Sequence, residues 1–300
     1  MVHWVKYKSI TLAIFVFIGL SAYSLAQGVS IAPYKDDLFS YGKILQQSSD
    51  GNFKVVDYEE LRDVNTRDQV PTRKVKSKYV TSSVKWHQSR KTYKSSGKKH
   101  KYYAVYKGKA NAIRQMVIYI HGKGGNFKQG GNDWTFGGNF NRIKNLMVKS
   151  RGAYFSVDFS DFGKQGKNDI ITFIKLQRQK MPRAKVILSC GSTGGFLCWS
   201  VAKDKRGNGF LDGLVLMGST WDESYINAYK RFGKKIPIMI GHGTRDTIYN
   251  YKNQLAFYEL LRNKGRNYPV QLTLFKNGIH GTPIRMLDWR ESLNWILAHQ

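Results

Sequence analysis

Three side chains of this sequence have the types and the order needed to shuttle a proton and attack an electrophilic carbon: Ser192, Asp246 and His280. A serine hydroxyl is a weak nucleophile until a base removes its proton. An imidazole titrates near neutral pH and is the natural base. A carboxylate on the second ring nitrogen fixes the tautomer and stabilises the imidazolium. Each residue also has an ordinary role open to it. Asp246 can cap a helix starting near Tyr251, His280 can be a hydrogen-bonded loop histidine, and Asp222 is a rival for the acid.

The setting of Ser192 sharpens the reading. Lys185 to Ser200 reads KVILSCGSTGGFLCWS: an apolar run, a turn of small residues, then the start of a helix. Val186, Ile187 and Leu188 suit a buried parallel strand. A serine held between strand and helix by small neighbours fits the nucleophile elbow G-x-S-x-G, in which bulky residues two positions either side would collide. Cys190 and Gly194 occupy those positions, so cysteine replaces the first glycine. Upstream, the strand Met116–Ile120 runs into His121-Gly122-Lys123-Gly124-Gly125-Asn126. A Gly-rich loop after a buried strand brings backbone N–H groups close to a ligand. The phosphate-loop pattern G-x-x-x-x-G-K-[ST] is missing, which leaves an oxyanion hole formed by the N–H groups of Thr193 and Lys123. His121 is expected to brace that loop.

Further elements must bring these residues together. Helices are predicted at 138–150, 168–180, from the elbow to about 203, 223–232, 251–264 and 284–298. Strands are predicted at 153–157, 211–217, 236–240 and 270–275. Such alternation makes a mostly parallel sheet covered on both faces, and ligands bind at the carboxyl ends of its strands. The loop at 121–126, Ser192, Asp246 and His280 all fall at such ends. The stretch 219–235 is short, which leaves little room for a lid. Trp221 and Tyr249 are the substrate-binding candidates, with Phe162 and Tyr225 beside them; core packing is the alternative for each.

The order Ser192, Asp246, His280, with His121-Gly122 after an early strand, resembles the α/β-hydrolase fold over about residues 102–300. The segment His242-Gly243-Thr244-Arg245-Asp246-Thr247 is similar to the acid loop of secreted esterases of the feruloyl esterase and polyhydroxybutyrate depolymerase group. The resemblance implies a three-layer fold, no cofactor and no metal, and a serine that forms an acyl-enzyme which water then hydrolyses. It implies cleavage of a small or lipid-like carboxylic ester. A thioesterase, lipase or serine peptidase on the same residues is the alternative. Cys190 departs from the family's glycine.

Composition bounds the rest. The chain has 300 residues, 49 Lys and Arg against 20 Asp and Glu, and a formal charge of +29. Lys6 and Lys8, the apolar run 10–20 and Ser24-Leu25-Ala26 read as a signal peptide over 1–26, cleaved near Ala26, which predicts a periplasmic or extracellular protein. Residues 27–69 read as an N-terminal extension, with helices predicted at 34–47 and 57–63, and residues 70–300 as the hydrolase domain. No acid occurs from Val70 to Asn132. Aromatic residues alternate with lysines there, as in strands joined at Ser95-Ser96-Gly97. Without a recognition motif this does not point to nucleic acid; it points to contact with an anionic membrane or polysaccharide. A non-catalytic, basic envelope-binding protein is the reading from a different class. Cys190 and Cys198 are expected to be two buried free thiols, although export would permit a disulfide.

Overall fold

A computed structural model describes Met1, residues 30–265 and residues 267–300. The predicted signal segment lies largely outside the described residues. Among the described residues twelve strands occur: β1 (Ile44–Gln47), β2 (Phe53–Val56), β3 (Asp68–Gln69), β4 (Lys74–Val75), β5 (Gln88–Ser95), β6 (Lys98–Tyr106), β7 (Gln115–Ile120), β8 (Gly152–Val157), β9 (Lys185–Gly191), β10 (Gly213–Met217), β11 (Ile238–Gly243) and β12 (Val270–Phe275). Ten of them form one sheet in the order β1-β2-β12-β11-β10-β9-β7-β8-β6-β5, while β3 and β4 pair separately. The run from β2 to β8 is parallel throughout. Three pairs at its margins are antiparallel: β1 on β2, β6 on β8 and β5 on β6.

The central strands are apolar on both faces, and successive residues serve opposite layers. On β7, Met116, Ile118 and Ile120 join one core with Phe173, Leu197, Trp199 and Phe257 from the helices of that side. Val117 and Tyr119 join the other, with Phe140, Ile143, Leu146 and Leu293. A sheet between two helical layers is the three-layer architecture that the sequence predicts. It directs the carboxyl ends of β7, β9, β11 and β12 to one edge. Among the described residues no helix is long and apolar enough to cross a membrane.

The departures from the sequence reading have local causes. The helix expected over 34–47 shrinks to Asp36–Phe39, and Ile44–Gln47 is a strand. Asp50-Gly51, with Gly51 at φ +70°, turns β1 back onto β2, and Asp-Gly is a strong hairpin signal. β2 then pairs with β12, so part of the segment read as an extension continues the main sheet. The helix expected at 57–63 lies at Glu60–Arg67, capped by the Glu59 side chain. Val84 and Trp86 fall in a 3₁₀ turn, and the strand begins only at Gln88. The last helix divides in two, because Asp288 caps a new start at Trp289 by accepting from the N–H groups of Arg290 and Glu291.

Candidate active site

Ser192 follows directly on β9 and opens a single 3₁₀ turn, Ser192–Gly194, that leads into the helix Gly195–Lys203. Its φ is +52°, a left-handed conformation uncommon for a non-glycine residue. Here it turns the hydroxyl out of the strand. The steric logic read from the sequence holds at Gly194: a β-carbon there would lie 2.7 Å from the Ile120 carbonyl oxygen and 2.9 Å from that of His121. Behind the turn, the Ser219 hydroxyl donates to the Ser192 carbonyl at 2.5 Å.

Cys190 and Cys198 are joined in a disulfide, which overturns the expectation of free thiols. The helix after the elbow folds back over its own strand. That brings the two α-carbons within 6.4 Å, inside the range a disulfide spans. Ser192 lies within the loop that the bond closes.

His280 stands on the loop between β12 and the helix Thr282–Met286. Its Nδ1–H donates to Asp246 Oδ2 at 2.8 Å, and its Nε2 accepts from the Ser192 hydroxyl at 2.8 Å. The side chain is 29% exposed, whereas that of Asp246 is fully buried. Burial alone would raise the Asp246 carboxyl. Hydrogen bonds from His242 and His280, and from the backbone N–H groups of Tyr249 and Ile248, outweigh it and hold the carboxyl well below the usual range. The rival Asp222 is engaged elsewhere, with Lys203 and Ser224.

The loop after β7 reaches the serine through Gly122, where an added β-carbon would stand 2.9 Å from Ser192 Cβ. Lys123 is the next residue, with its side chain exposed. Thr193 lies at the start of the helical unit, where N–H groups lack partners within the helix. His121 braces the loop: its Nδ1–H donates to the Gly122 carbonyl at 2.9 Å and its ring stacks on Phe159 at 4.5 Å. Asp158 accepts from the N–H of Phe127 at 2.6 Å and fixes the far end.

The two substrate-binding candidates differ. The Tyr249 ring lies 5.7 Å from that of His280. Trp221 is half-buried and packs against the core. Tyr225 is core outright, its hydroxyl paired with that of Tyr268. Two features escaped the sequence reading. His242, fully buried on β11, shares its Nε2–H between the Tyr249 carbonyl at 2.8 Å and Asp246 Oδ2 at 3.3 Å. Its spacing of four from Asp246 across the strand end was the available signal. The other is a pocket of about 100 Å³ beside the His280 loop, lined by Tyr58, Glu60, Arg73, Phe136, Ile279 and Arg285 among others. Its wall from residues 58–73 is held by Arg285 to Asp68 at 2.5 Å and by Arg67 to the Arg285 carbonyl at 2.8 Å. Nothing in the local sequence of 58–73 marks that long-range anchoring.

No family model matches the chain, and no curated protein matches it. Solved structures do. One described as a thermostable esterase matches 71% of this chain and 62% of its own, with 15% identity and a TM-score of 0.56. Thermogutta terrifontis esterase 2, phosphorylated by paraoxon, matches 71% of this chain and 92% of its own, with 16% identity and a TM-score of 0.49. Its butyrate-bound form has 16% identity, the same coverage and a TM-score of 0.48. The first of these likenesses, together with the sheet order, defines the chain's architecture as the three-layer α/β-hydrolase fold.

Proposed function

We propose that the protein is a serine hydrolase that cleaves a carboxylic ester through an acyl-enzyme on Ser192. The observation that carries this reading is the unbroken chain of two 2.8 Å hydrogen bonds from Ser192 through His280 to Asp246. In this mechanism His280 Nε2 takes the hydroxyl proton as Ser192 Oγ attacks the ester carbonyl. The Oγ–C bond forms and the carbonyl oxygen becomes an oxyanion. The N–H groups of Thr193 and Lys123 receive that charge, a contribution of about 3–4 kcal/mol per donor in comparable sites. The imidazolium returns the proton to the leaving alcohol oxygen as the C–O bond breaks. Water then attacks the acyl-enzyme, His280 takes its proton, and the acid leaves as the proton returns to Oγ. Tyr249 flanks the entering group.

The site of action proposed is outside the cytoplasm. The signal-like residues 1–26 and the Cys190–Cys198 disulfide support this, since disulfides persist in oxidising compartments. Treatment with a fluorophosphonate probe and assay on short p-nitrophenyl esters test the reaction. Wild type should be labelled and active, and Ser192→Ala should be neither. Labelling that persists in Ser192→Ala sinks the assignment of the nucleophile. An N-terminus at Gln27 in the exported protein tests the export reading.

A further inference from the structure

The hairpin of β5 and β6 is longer than the sheet it joins. β8 ends at Val157 opposite Tyr102, and the backbone pairing closes with Asp158 on Lys101. Beyond that point the hairpin's outer half, residues 92–95 and 98–101, pairs only with itself. It extends about 14 Å past the end of β8, on the side of the sheet that carries Ser192, at ~3.4 Å per residue. One face is covered: Tyr93 and Tyr102 pack on Phe173, and His100 lies 3.5 Å from Asp169. The other face of this outer half carries Lys94, Lys99 and Lys101, all exposed. Lys94 stands directly opposite Lys99, a pairing that costs stability. None of these lysines forms an ion pair among the described residues.

A second feature lies at the same edge. Phe196, Ile248 and Ile279 are 48%, 62% and 42% exposed. They sit within four residues of Ser192, Asp246 and His280 respectively. Leu61 and Val70, also exposed, continue the apolar rim along a second pocket that shares Glu60 and Arg73 with the one beside His280. Cations alone would fit any polyanion. Exposed apolar side chains on the same turns as Ser192, Asp246 and His280 fit a different partner, one whose acyl region lies just beneath a charged surface.

We infer that the edge bearing Ser192 docks on an anionic lipid bilayer, with the bare face of the β5–β6 hairpin on the headgroups and the apolar rim at the acyl boundary. The substrate is then an ester carried by a membrane lipid. This inference rests on the serine hydrolase reading and narrows its substrate.

The test is sedimentation with vesicles of phosphatidylcholine, with and without phosphatidylglycerol, alongside turnover of a vesicle-borne ester lipid and of a soluble p-nitrophenyl ester. Wild type should bind only the anionic vesicles and release in high salt. The Lys94→Gln/Lys99→Gln/Lys101→Gln variant should bind roughly a hundredfold more weakly. Its ratio of vesicle-borne to soluble turnover should fall by a similar factor. Phe196→Ser should weaken partition several-fold without changing its salt dependence. Equal binding to neutral vesicles overturns the electrostatic part. Retention by polygalacturonate with none by vesicles overturns the lipid assignment in favour of an acidic polymer. Vesicle binding by a wild type that hydrolyses neither ester and takes no fluorophosphonate would leave the docking surface and remove the hydrolase reading.

Discussion

Gly122 lies so close to Ser192 that a β-carbon on residue 122 would stand 2.9 Å from Ser192 Cβ and 3.3 Å from its Oγ. Two elements far apart in sequence are thus in contact at the Ser192 hydroxyl. The space a substrate carbonyl would enter is bounded by the backbone of the loop after β7. Gly122→Ala should reduce turnover of a soluble ester by about 10²-fold, the scale of losing one oxyanion donor. The nearest atoms to the methyl group are those of the serine and the Gly191 carbonyl oxygen, at 3.2 Å. Initial rates and fluorophosphonate labelling of the purified variant check this; a variant as active as wild type would move the oxyanion site elsewhere.

Asp246 should make stability depend on acid in a definite direction. Its carboxyl is held well below the usual range in the folded protein, while in the unfolded chain it returns to about 3.9. The unfolded state therefore takes up the proton first as pH falls. The stabilisation from Asp246 is fully present above about pH 5 and is lost progressively as the pH drops toward the folded value. Denaturant midpoints between about pH 6 and pH 3 should fall more steeply for wild type than for Asp246→Asn. Parallel slopes would show that Asp246 does not carry the effect. The same variant should lose about 10⁴-fold in turnover, because an amide presents the imidazole with the wrong hydrogen-bond partner.

The disulfide closes a short loop around the Ser192 turn, joining the end of β9 to the helix behind it. A loop of this length is worth about 2–3 kcal/mol against unfolding by the chain-entropy argument. Cys190→Ala/Cys198→Ala should lower the unfolding free energy by that amount. It should also lower turnover several-fold, since the left-handed backbone of Ser192 persists only where its surroundings hold it. Urea titration and initial rates on oxidised and reduced wild type separate the two effects. Unchanged turnover after complete reduction would confine the bond to stability.

The parts of the molecule legible in the sequence are those fixed by local pattern. Apolar runs such as 116–120 and 186–188, bounded by Gly-rich turns, declare buried parallel strands, and strand–helix alternation then puts Ser192 and His280 at one edge. The parts that were not legible depend on long-range pairing. Ile44–Gln47 becomes a strand because β2 finds β12 more than 200 residues away. Residues 58–73 become the wall of a pocket because Asp68 meets Arg285. His242 reads as one more residue of a Gly-rich turn until its ring is found against the carboxylate of Asp246. The cysteine spacing was compatible with either thiols or a bond, and only the approach of helix to strand decides between them.

Lys144 and Asp133 make the sharpest stability prediction. The ammonium is fully buried and meets Asp133 at 2.7 Å, with the Gly131 carbonyl and Gln88 Oε1 each at 2.8 Å. This ties the helix Asn139–Lys149 to the segment after the 121–126 loop and to the start of β5. Burial pushes the ammonium down, and the attraction of Asp133 opposes it only in part. Removing one partner strands a charge in the interior, which costs about 3–5 kcal/mol, whereas replacing both by apolar groups of similar volume removes the desolvation penalty along with the attraction. Asp133→Ala should therefore destabilise by that amount, and Asp133→Leu/Lys144→Met by clearly less. The double variant still gives up the hydrogen bonds that the ammonium donates to the neutral acceptors Gly131 and Gln88, so it should not exceed wild type. Urea unfolding of the single and double variants decides the matter: a double variant as damaged as Asp133→Ala would mean that the pair is valued for its hydrogen bonds to the loop rather than for the mutual neutralisation of its charges.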